Sequence, residues 1–540
     1  MPRSKPEMRL IFIMILLLFA AFLFIPLLVL LIRSFQTGQG LSLNNYVAVW
    51  KGRDLIEATL NSVKVSGVTA FITTILGFTL AYAIHCTRIY RPIKGFLKTA
   101  IVVPMLLPTI TYGFAIMYSF GNQGLITRLF GHRLFEIYGF NGLLLGYVVY
   151  TLPAVFLLIH NAFRDVDKKF MIVSKLMGDG MFRSFLNTVL RPLAGALGGA
   201  FVLSFILSFT DFGIPASVGG TYNVIAGQLY QVMLGSIPDF NQGAVVAVFM
   251  LIPAVFGIWL LQYLERFNFH YDKVKDTELP SHPVRDAVFG ILSTGIVLGM
   301  LSVFLVMFIA PWLTSYPFNL TFTFDHVRDV FQSSDLTGVY KNSLLVALLT
   351  ALFGTLTAYC SALLNVRTTL KGRSAMDLIS MITNTVPGMV LGISYLLFYN
   401  GSSLKGTFTI LVVCNIVHLF TTPYLMAKNS LSKMNPSWET TGELLMDSWF
   451  KTIYRVVLPN SVATIIEMFS YFFINSMVTI SGIIFLVSAQ TALVSSKIKE
   501  LQHFAKFNEV FVLSMLIFFT NLIIKVLCDY LQQRRSSALR

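Results

Sequence analysis

Long apolar runs separated by short polar segments make up most of the chain. Twelve of these runs approach the length of about 20 residues that a helix needs to cross a membrane. The first run is longer than the apolar core of about 7–15 residues in a secretory signal peptide, so we interpret it as an uncleaved first span. The predicted spans cover residues 10–32, 62–86, 97–120, 141–163, 191–214, 241–264, 286–312, 343–365, 376–400, 407–427, 460–487 and 510–531.

The amino-acid composition agrees with this pattern. Of the 540 residues, 55% are hydrophobic and 12% are charged, whereas soluble domains have roughly 25% charged residues. These proportions exclude a soluble enzyme, a disordered chain and a secreted disulfide scaffold. The chain is therefore predicted to be an all-α polytopic membrane protein.

The charge distribution predicts the orientation of the spans. The net charge of +15 would suggest a nucleic-acid partner in a soluble protein, but membrane proteins carry excess Lys and Arg on their cytoplasmic side. Arg88, Arg91, Lys94 and Lys98 cluster in or beside the first short inner loop, whereas residues 215–242 contain neither Lys nor Arg. We therefore expect both termini in the cytoplasm and no nucleic-acid partner.

Cysteine and histidine give little sign of chemistry. The histidines, including His160 and His418, are scattered along the sequence, and no cysteines form a CxxC pair. We therefore predict neither a metal site nor a disulfide framework, and a membrane-embedded enzyme has no supporting cluster of residues. Packing is the expected role of the cysteines, which are Cys86, Cys360, Cys414 and Cys528.

The two halves of the chain resemble each other. Six spans per half is an even number, so both halves have the same orientation and are related by an axis along the membrane normal. We predict a first half at 1–264, a cytoplasmic linker at 265–285 and a second half at 286–540. The matching positions are Asn61-Ser62 with Asn342-Ser343, Pro108 with Pro387, Gly113 with Gly392, and residues 182–190 with residues 450–458.

The longest cytoplasmic connection of each half lies between its fourth and fifth spans. These loops cover residues 164–192 and 433–459, and each has helix-like apolar spacing, a turn and a second short amphipathic stretch. A proline then opens the next span, where the first helical turn leaves its N–H groups unpaired in any case.

Both loops resemble the "EAA" coupling loop of ABC-importer permeases, the binding-protein-dependent inner-membrane component family. The first copy matches at Gly178, Phe185, Val189 and Leu190, but has Val173-Ser174 for Ala-Ala, and Pro192 comes one position late. The second copy has Thr441-Gly442 for Ala-Ala and Met446 for Gly. Its matching residues are Glu439, Ser448, Trp449, Arg455, Val457, Leu458 and Pro459.

The resemblance implies a fused, twelve-span permease of a bacterial inner membrane. The chain has no G-x-x-x-x-G-K-[ST] motif, so ATP and Mg are expected on a separate cytoplasmic ATPase, present in two copies. An extracellular or periplasmic binding protein is the expected source of solute. The side chains expected in the ATPase grooves are Phe182, Phe185, Trp449 and Phe450, although lipid-bound interfacial helices are an alternative explanation of the loops.

Polar residues within the spans are candidates for the solute path. Asp211 could contact a cationic group of the solute, or cap a broken helix, and Glu467 could line the path or pair within its cytoplasmic mouth. Asn475 is a further candidate, although polar residues also bridge packed helices.

Two other questions are open from the sequence. An ion-coupled secondary transporter can have the same twelve-span organisation, but its coupling usually needs several ionisable residues in mid-span. The solute is the second question. Single-chain double permeases of this size are typical of ferric-iron, thiamine and 2-aminoethylphosphonate importers. Residues 209–235, followed by 243–255, look most like the 2-aminoethylphosphonate group, and ferric iron is the alternative.

Overall fold

The computed structural model describes residues 6–38, 40–267 and 282–538. Most of the predicted linker at 265–285 lies outside the described residues. The first half begins with helices α1 and α2, which a π-helical turn at Ala20–Phe24 joins into one span, and a short hairpin of β1 (Gln36–Thr37) and β2 (Gly40–Leu41) follows.

The first half has fourteen α-helices in the described residues. Their bounds are α1 Pro6–Phe19, α2 Ile25–Phe35, α3 Asn44–Lys51, α4 Asp54–Cys86, α5 Arg91–Ala100, a 3-10 turn Val103–Leu106, α6 Thr109–Phe120, α7 Leu125–Phe130, α8 Phe140–Phe163, α9 Lys169–Leu176, α10 Met181–Phe185, a π-helical turn Leu186–Leu190, α11 Ala194–Thr210, α12 Gly213–Val218, α13 Ile225–Leu234 and α14 Phe240–Glu265.

The second half repeats this order, including a hairpin of β3 (Leu313–Ser315) and β4 (Asn319–Phe322) after its first span. Its helices are α15 Pro283–Ile309, a 3-10 turn Ala310–Trp312, α16 Asp325–Gln332, α17 Ser334–Arg367, α18 Ala375–Thr385, α19 Gly388–Tyr399, α20 Phe408–Leu419, α21 Thr421–Ser432, α22 Ser437–Leu444, α23 Trp449–Thr452, a π-helical turn Ile453–Val457, α24 Leu458–Val478, a 3-10 turn Ile483–Phe485, α25 Val494–His503 and α26 Phe507–Ala538.

The predicted spans correspond to helices of sufficient length and apolarity. Among the described residues, eight helices can cross a membrane unbroken, and four bent pairs bring the number to 12. The bent pairs replace the third, fifth, ninth and tenth predicted spans, which are therefore not straight helices. The third and ninth bend most, by 106° and 100°.

Prolines explain these two sharp bends. Pro108 and Pro387 directly precede α6 and α19, and the residues before them, Leu107 and Val386, have extended backbones. A proline disfavours the helical conformation of the residue before it, so the helix stops and restarts in a new direction. The proline match between the halves therefore marks a shared break.

Matching hydrogen bonds lie in the N-terminal part of α4 and of α17, as expected for a repeat. The Ser62 hydroxyl accepts from the N–H of Ile225 at 2.8 Å, and the Ser343 hydroxyl accepts from the N–H of Val494 at 2.8 Å. Each serine fixes the long second helix of its half to the segment that follows the fifth span.

The described residues group into two compact units that do not follow the sequence halves. One contains Met1–Lys51, Leu229–Leu251 and Phe324–Arg540, and the other contains Gly52–Gln228 and Ile252–Thr323. The first span of each half therefore packs with helices of the other half. The predicted boundaries at 264 and 286 therefore describe the sequence repeat, and they do not separate the two compact units.

The first unit shows how the N-terminal span is held. The Tyr395 hydroxyl donates to the carbonyl of Phe22 at 2.5 Å, and the Tyr399 hydroxyl donates to the carbonyl of Ala21 at 3.0 Å. Both carbonyls lie in the π-helical turn, whose altered backbone pairing makes carbonyls available to neighbouring helices. Phe19 adds an edge contact to Phe420, with ring centroids 4.6 Å apart.

The second unit is built around α4, α8 and α11. A line of hydroxyls crosses them, because Ser204 donates to Thr151 at 2.9 Å and Thr151 donates to Thr73 at 3.1 Å. Hydroxyl groups that bond to one another across helices are satisfied within an apolar surrounding. In the same unit, α15 packs on α6 through the rings of Phe304 and Tyr112, whose centroids are 5.0 Å apart.

Candidate functional site

The two loops identified from the sequence have the same backbone turn. We call residues 164–192 the first coupling loop and residues 433–459 the second. In the first, Gly178 has a φ of +81°, and in the second, Met446 has a φ of +57°. In each loop the N–H of the next residue completes the turn. The N–H of Asp179 donates to the carbonyl of Ser174 at 3.1 Å, and the N–H of Asp447 donates to the carbonyl of Gly442 at 2.9 Å.

The turn of the first coupling loop carries exposed apolar side chains. Leu176, Met177, Met181 and Phe182 are each at least 77% exposed. These four residues, two on either side of one turn, form an apolar tip, which we call the first tip. An apolar patch of this kind marks an interaction surface.

Phe185, by contrast, points into its own unit. Its ring lies 6.1 Å from that of Phe78 and 6.0 Å from that of Tyr82, both on α4. The π-helical turn that follows ends at Leu190, which is half-buried. Phe185, which was predicted to enter an ATPase groove, therefore attaches the loop to α4 instead.

The second coupling loop has an equivalent tip at Leu444, Leu445 and Met446, which are 70–93% exposed. Phe450 is about half exposed, whereas Trp449 is buried among residues of its own chain. The indole N–H of Trp449 has no hydrogen-bond partner within the described part of the chain. Phe450 and the tip therefore form the accessible surface of this loop.

Glu439 is buried and paired with the last residue of α17. Its carboxylate receives two hydrogen bonds from the Arg367 guanidinium, each 2.5 Å long, and both side chains are 4% exposed. Glu439 thus contacts the membrane helix of its own half.

The two coupling loops enter their following spans differently. In the second, the π-helical turn runs directly into α24, with Leu458 and Pro459 as its first residues, and Arg455 is exposed. In the first, Pro192 lies one position later and the chain bends by 67° before α11. The second coupling loop is therefore followed by a continuous helix and the first by a bent one.

Asp211 lies directly after α11 and is buried. Its carboxylate accepts hydrogen bonds from the N–H of Ile214 at 2.9 Å, from the N–H of Gly213 and from the hydroxyl of Thr109. The two N–H groups are unpaired donors at the start of α12, which a carboxylate satisfies well, and the Thr109 hydroxyl comes from the start of α6. The geometry is that of the capping alternative.

The other two candidate path residues have different surroundings. Glu467, on α24, is exposed. Asn475 is half-buried and donates to the carbonyl of Tyr471 at 2.8 Å within the same helix. Among the described residues, no three or more His, Cys, Asp or Glu side chains come together in a group that could hold a metal ion.

The structure also brings together two histidines that the sequence gave no reason to pair. The Nε2 of His85 lies 3.0 Å from the Nδ1 of His160, and His85 stacks on Phe163. In the sequence the two histidines are 75 positions apart. The spacing gave no signal, since contact between α4 and α8 depends on tertiary packing.

Comparison with known proteins gives a consistent result. The family model described as "Binding-protein-dependent transport system inner membrane component" matches residues 73–269 and 350–537. Over 498 residues the chain is 26% identical to the putative ferric transport system permease protein FbpB 1 of Haemophilus influenzae, with 88% of this chain and 77% of that protein covered.

Two further relatives have the same identity of 26%. The ferric transport system permease protein FbpB of Actinobacillus pleuropneumoniae matches over 504 residues, 90% of this chain and 72% of its own length. The spermidine/putrescine transport system permease protein PotC of Escherichia coli K12 matches over 250 residues, 45% of this chain and 89% of its own length.

Proposed function

Because this chain belongs to the family of binding-protein-dependent transport system inner membrane components, we propose that it supplies both permease halves of an ATP-driven importer of ferric iron. The chain is a multi-pass inner-membrane transport subunit and not an enzyme. The observation that carries the proposal is the pair of coupling loops, which share a left-handed turn and an exposed apolar tip.

Each tip is suited to a groove on a cytoplasmic ATPase. A short helix with an exposed apolar end binds by inserting it into a partner groove, and each large side chain contributes about 1.5–3 kcal/mol when fully buried. Because each tip occupies one groove, a chain with two tips binds two ATPase subunits, and these subunits bind the ATP and Mg. On this arrangement, both termini are cytoplasmic and a binding protein delivers the solute from the opposite side.

Ferric iron is the solute that the similarity favours. The two relatives that match along most of this chain are both ferric transport permeases. The second candidate is 2-aminoethylphosphonate, favoured by the resemblance of residues 209–235. Asp211 supports it weakly, because its carboxylate already accepts hydrogen bonds from Ile214, Gly213 and Thr109.

Uptake in the native organism distinguishes these solutes. We expect a deletion strain to lose uptake of radiolabelled ferric iron supplied with its binding protein, and a plasmid copy of the gene to restore it. The same strain should still grow with 2-aminoethylphosphonate as its phosphorus source. Loss of that growth with unchanged iron uptake would replace ferric iron by the phosphonate.

The energy source needs a separate measurement. Uptake by the restored strain should stop when ATP is depleted and should continue when a protonophore collapses the proton gradient. The opposite response would favour the ion-coupled secondary transporter. Removal of the first tip by the combined change of Met181 and Phe182 to Ser should abolish uptake. Ser at Leu298, an exposed residue of α15, is the control.

A further inference from the structure

The last residue of α17 holds the second coupling loop at three points. Nε and Nη2 of Arg367 donate to the two oxygens of the Glu439 carboxylate, each at 2.5 Å. Nη1 donates to the carbonyl of Met434 at 2.9 Å, and Nη2 also donates to that of Asn435 at 3.1 Å. One guanidinium therefore joins the start of α22 and the segment before it to the end of a membrane helix.

Burial makes this connection stiff. With both side chains 4% exposed, separating them would leave a charge without water or a partner, which is strongly unfavourable. The two parallel hydrogen bonds also restrict rotation, because the planar guanidinium matches the planar carboxylate in one orientation. The loop and α17 should thus move as one body.

The end of α17 is also attached to neighbouring helices. Asn365 donates to the hydroxyl of Tyr424 at 2.6 Å, and that hydroxyl donates to the carboxylate of Asp377 at 2.7 Å. Lys428 pairs with the same carboxylate at 2.6 Å. A displacement of the loop would consequently reach α17, α18 and α21 together.

The first half has uncharged residues at the equivalent positions. Cys86 is the last residue of α4 and precedes Thr87, just as Arg367 precedes Thr368. Met171 lies seven residues before Gly178, as Glu439 lies seven before Met446. The first coupling loop meets α4 through the ring of Phe185 instead.

We propose that Arg367 is a positioning residue that latches the second coupling loop to α17, so that the two loops transmit ATPase movement unequally. The latch carries the displacement of the second loop directly into the membrane helices, whereas the aromatic contact of the first loop allows it to slide. Unequal transmission of ATPase movement rests on the proposed function, whereas the attachment of the second coupling loop to α17 by Arg367 is a property of this chain alone.

Hydrogen exchange on the purified full-length chain, without ATPase, tests the latch. Arg367→Cys and Glu439→Met each leave one buried charge unpaired, so amides in 437–447 should exchange at least tenfold faster. The double variant introduces the residues of the first half and leaves no unpaired charge, so its exchange should return to within about threefold of wild type. Lys428→Met, which breaks a half-exposed pair at the same end, is the control and should change exchange little. Unchanged exchange in both single variants would overturn the latch.

The reconstituted complex tests transmission. We expect the double variant to bind and stimulate the ATPase, but to move at least threefold fewer solute molecules per ATP hydrolysed. A merely structural role would leave that ratio unchanged once the loop is restored, and an unchanged ratio would overturn unequal transmission. Failure of the wild-type chain to bind an ATPase would refute the proposed function and leave the exchange result standing.

Discussion

Gly178 and Met446 occupy the same left-handed backbone position in the two coupling loops, with φ angles of +81° and +57°. Glycine adopts this conformation at no steric cost, whereas a residue with a side chain loses roughly 1–2 kcal/mol. The left-handed backbone of this turn therefore explains why the EAA pattern has a glycine at this position. The second coupling loop keeps the turn with a methionine and stores strain in it.

Met446→Gly should therefore stabilise the second coupling loop. We expect a gain of about 1 kcal/mol in the local opening free energy from relief of the left-handed strain, measured as slower hydrogen exchange in 437–447. The reciprocal change Gly178→Met should speed exchange in 169–179 by a similar factor. Equal exchange in both variants and wild type would show that the turn tolerates either residue.

The tips predict a separation between binding and stability. Phe182 is 77% exposed, so Phe182→Ala should weaken ATPase binding by about 1.5–3 kcal/mol and leave the thermal stability of the purified chain unchanged. Phe185 packs on α4, so Phe185→Ala should lower the free energy of unfolding by about 2–3 kcal/mol, somewhat less than the loss for a fully buried Phe. Co-purification of the ATPase and a melting curve of the isolated chain measure the two effects.

Trp449 should behave like Phe185 and not like the tip. Because its side chain is buried among its own chain, Trp449→Ala should reduce the thermal stability of the isolated chain and weaken ATPase binding as a consequence. Leu445→Ser, at the exposed tip, should weaken ATPase binding alone. A Trp449 variant that melts normally but fails to bind would place the tryptophan directly in the ATPase groove.

A glycine in each half, Gly113 on α6 and Gly392 on α19, allows close contact with the segment after the fifth span of that half. A methyl group at Gly392 would overlap the carbonyl oxygen of Gly482, and one at Gly113 would overlap the side chain of Ser217. Gly392→Ala should consequently cost about 1–3 kcal/mol through overpacking. Gly299→Ala, where nothing lies within 4 Å of the added methyl, is the control. Thermal melting in detergent should show a lower midpoint for Gly392→Ala alone.

The orientation of the chain can be tested chemically. Lys275→Cys, in the predicted linker, and cysteines near either terminus should resist a membrane-impermeant maleimide in intact cells and react after lysis. A cysteine at Ser236, in the stretch without Lys or Arg, should react in both cases. These variants should first be made in a background without the four native cysteines. Labelling of Lys275→Cys in intact cells would show that the predicted orientation is wrong.

The sequence by itself determined the features that depend on local pattern. The twelve apolar runs, the repeat and the coupling loops all follow from residues close together in the chain, since span length and turn chemistry are local properties. The prolines Pro108 and Pro387 were visible as a repeated signal. Their effect on direction was not, because a proline permits a bend whose angle the neighbouring helices set.

Only the tertiary structure decided where each candidate side chain points. Phe182 and Phe185 are three residues apart and equally apolar, yet one is exposed and the other packs on Phe78. The partner of Glu439 lies 72 positions away, and no spacing rule connects the two. Burial and pairing depend on which distant helices come together. The packing of each first span with helices of the other half, and the contact of Arg367 with Glu439, therefore follow from tertiary packing alone.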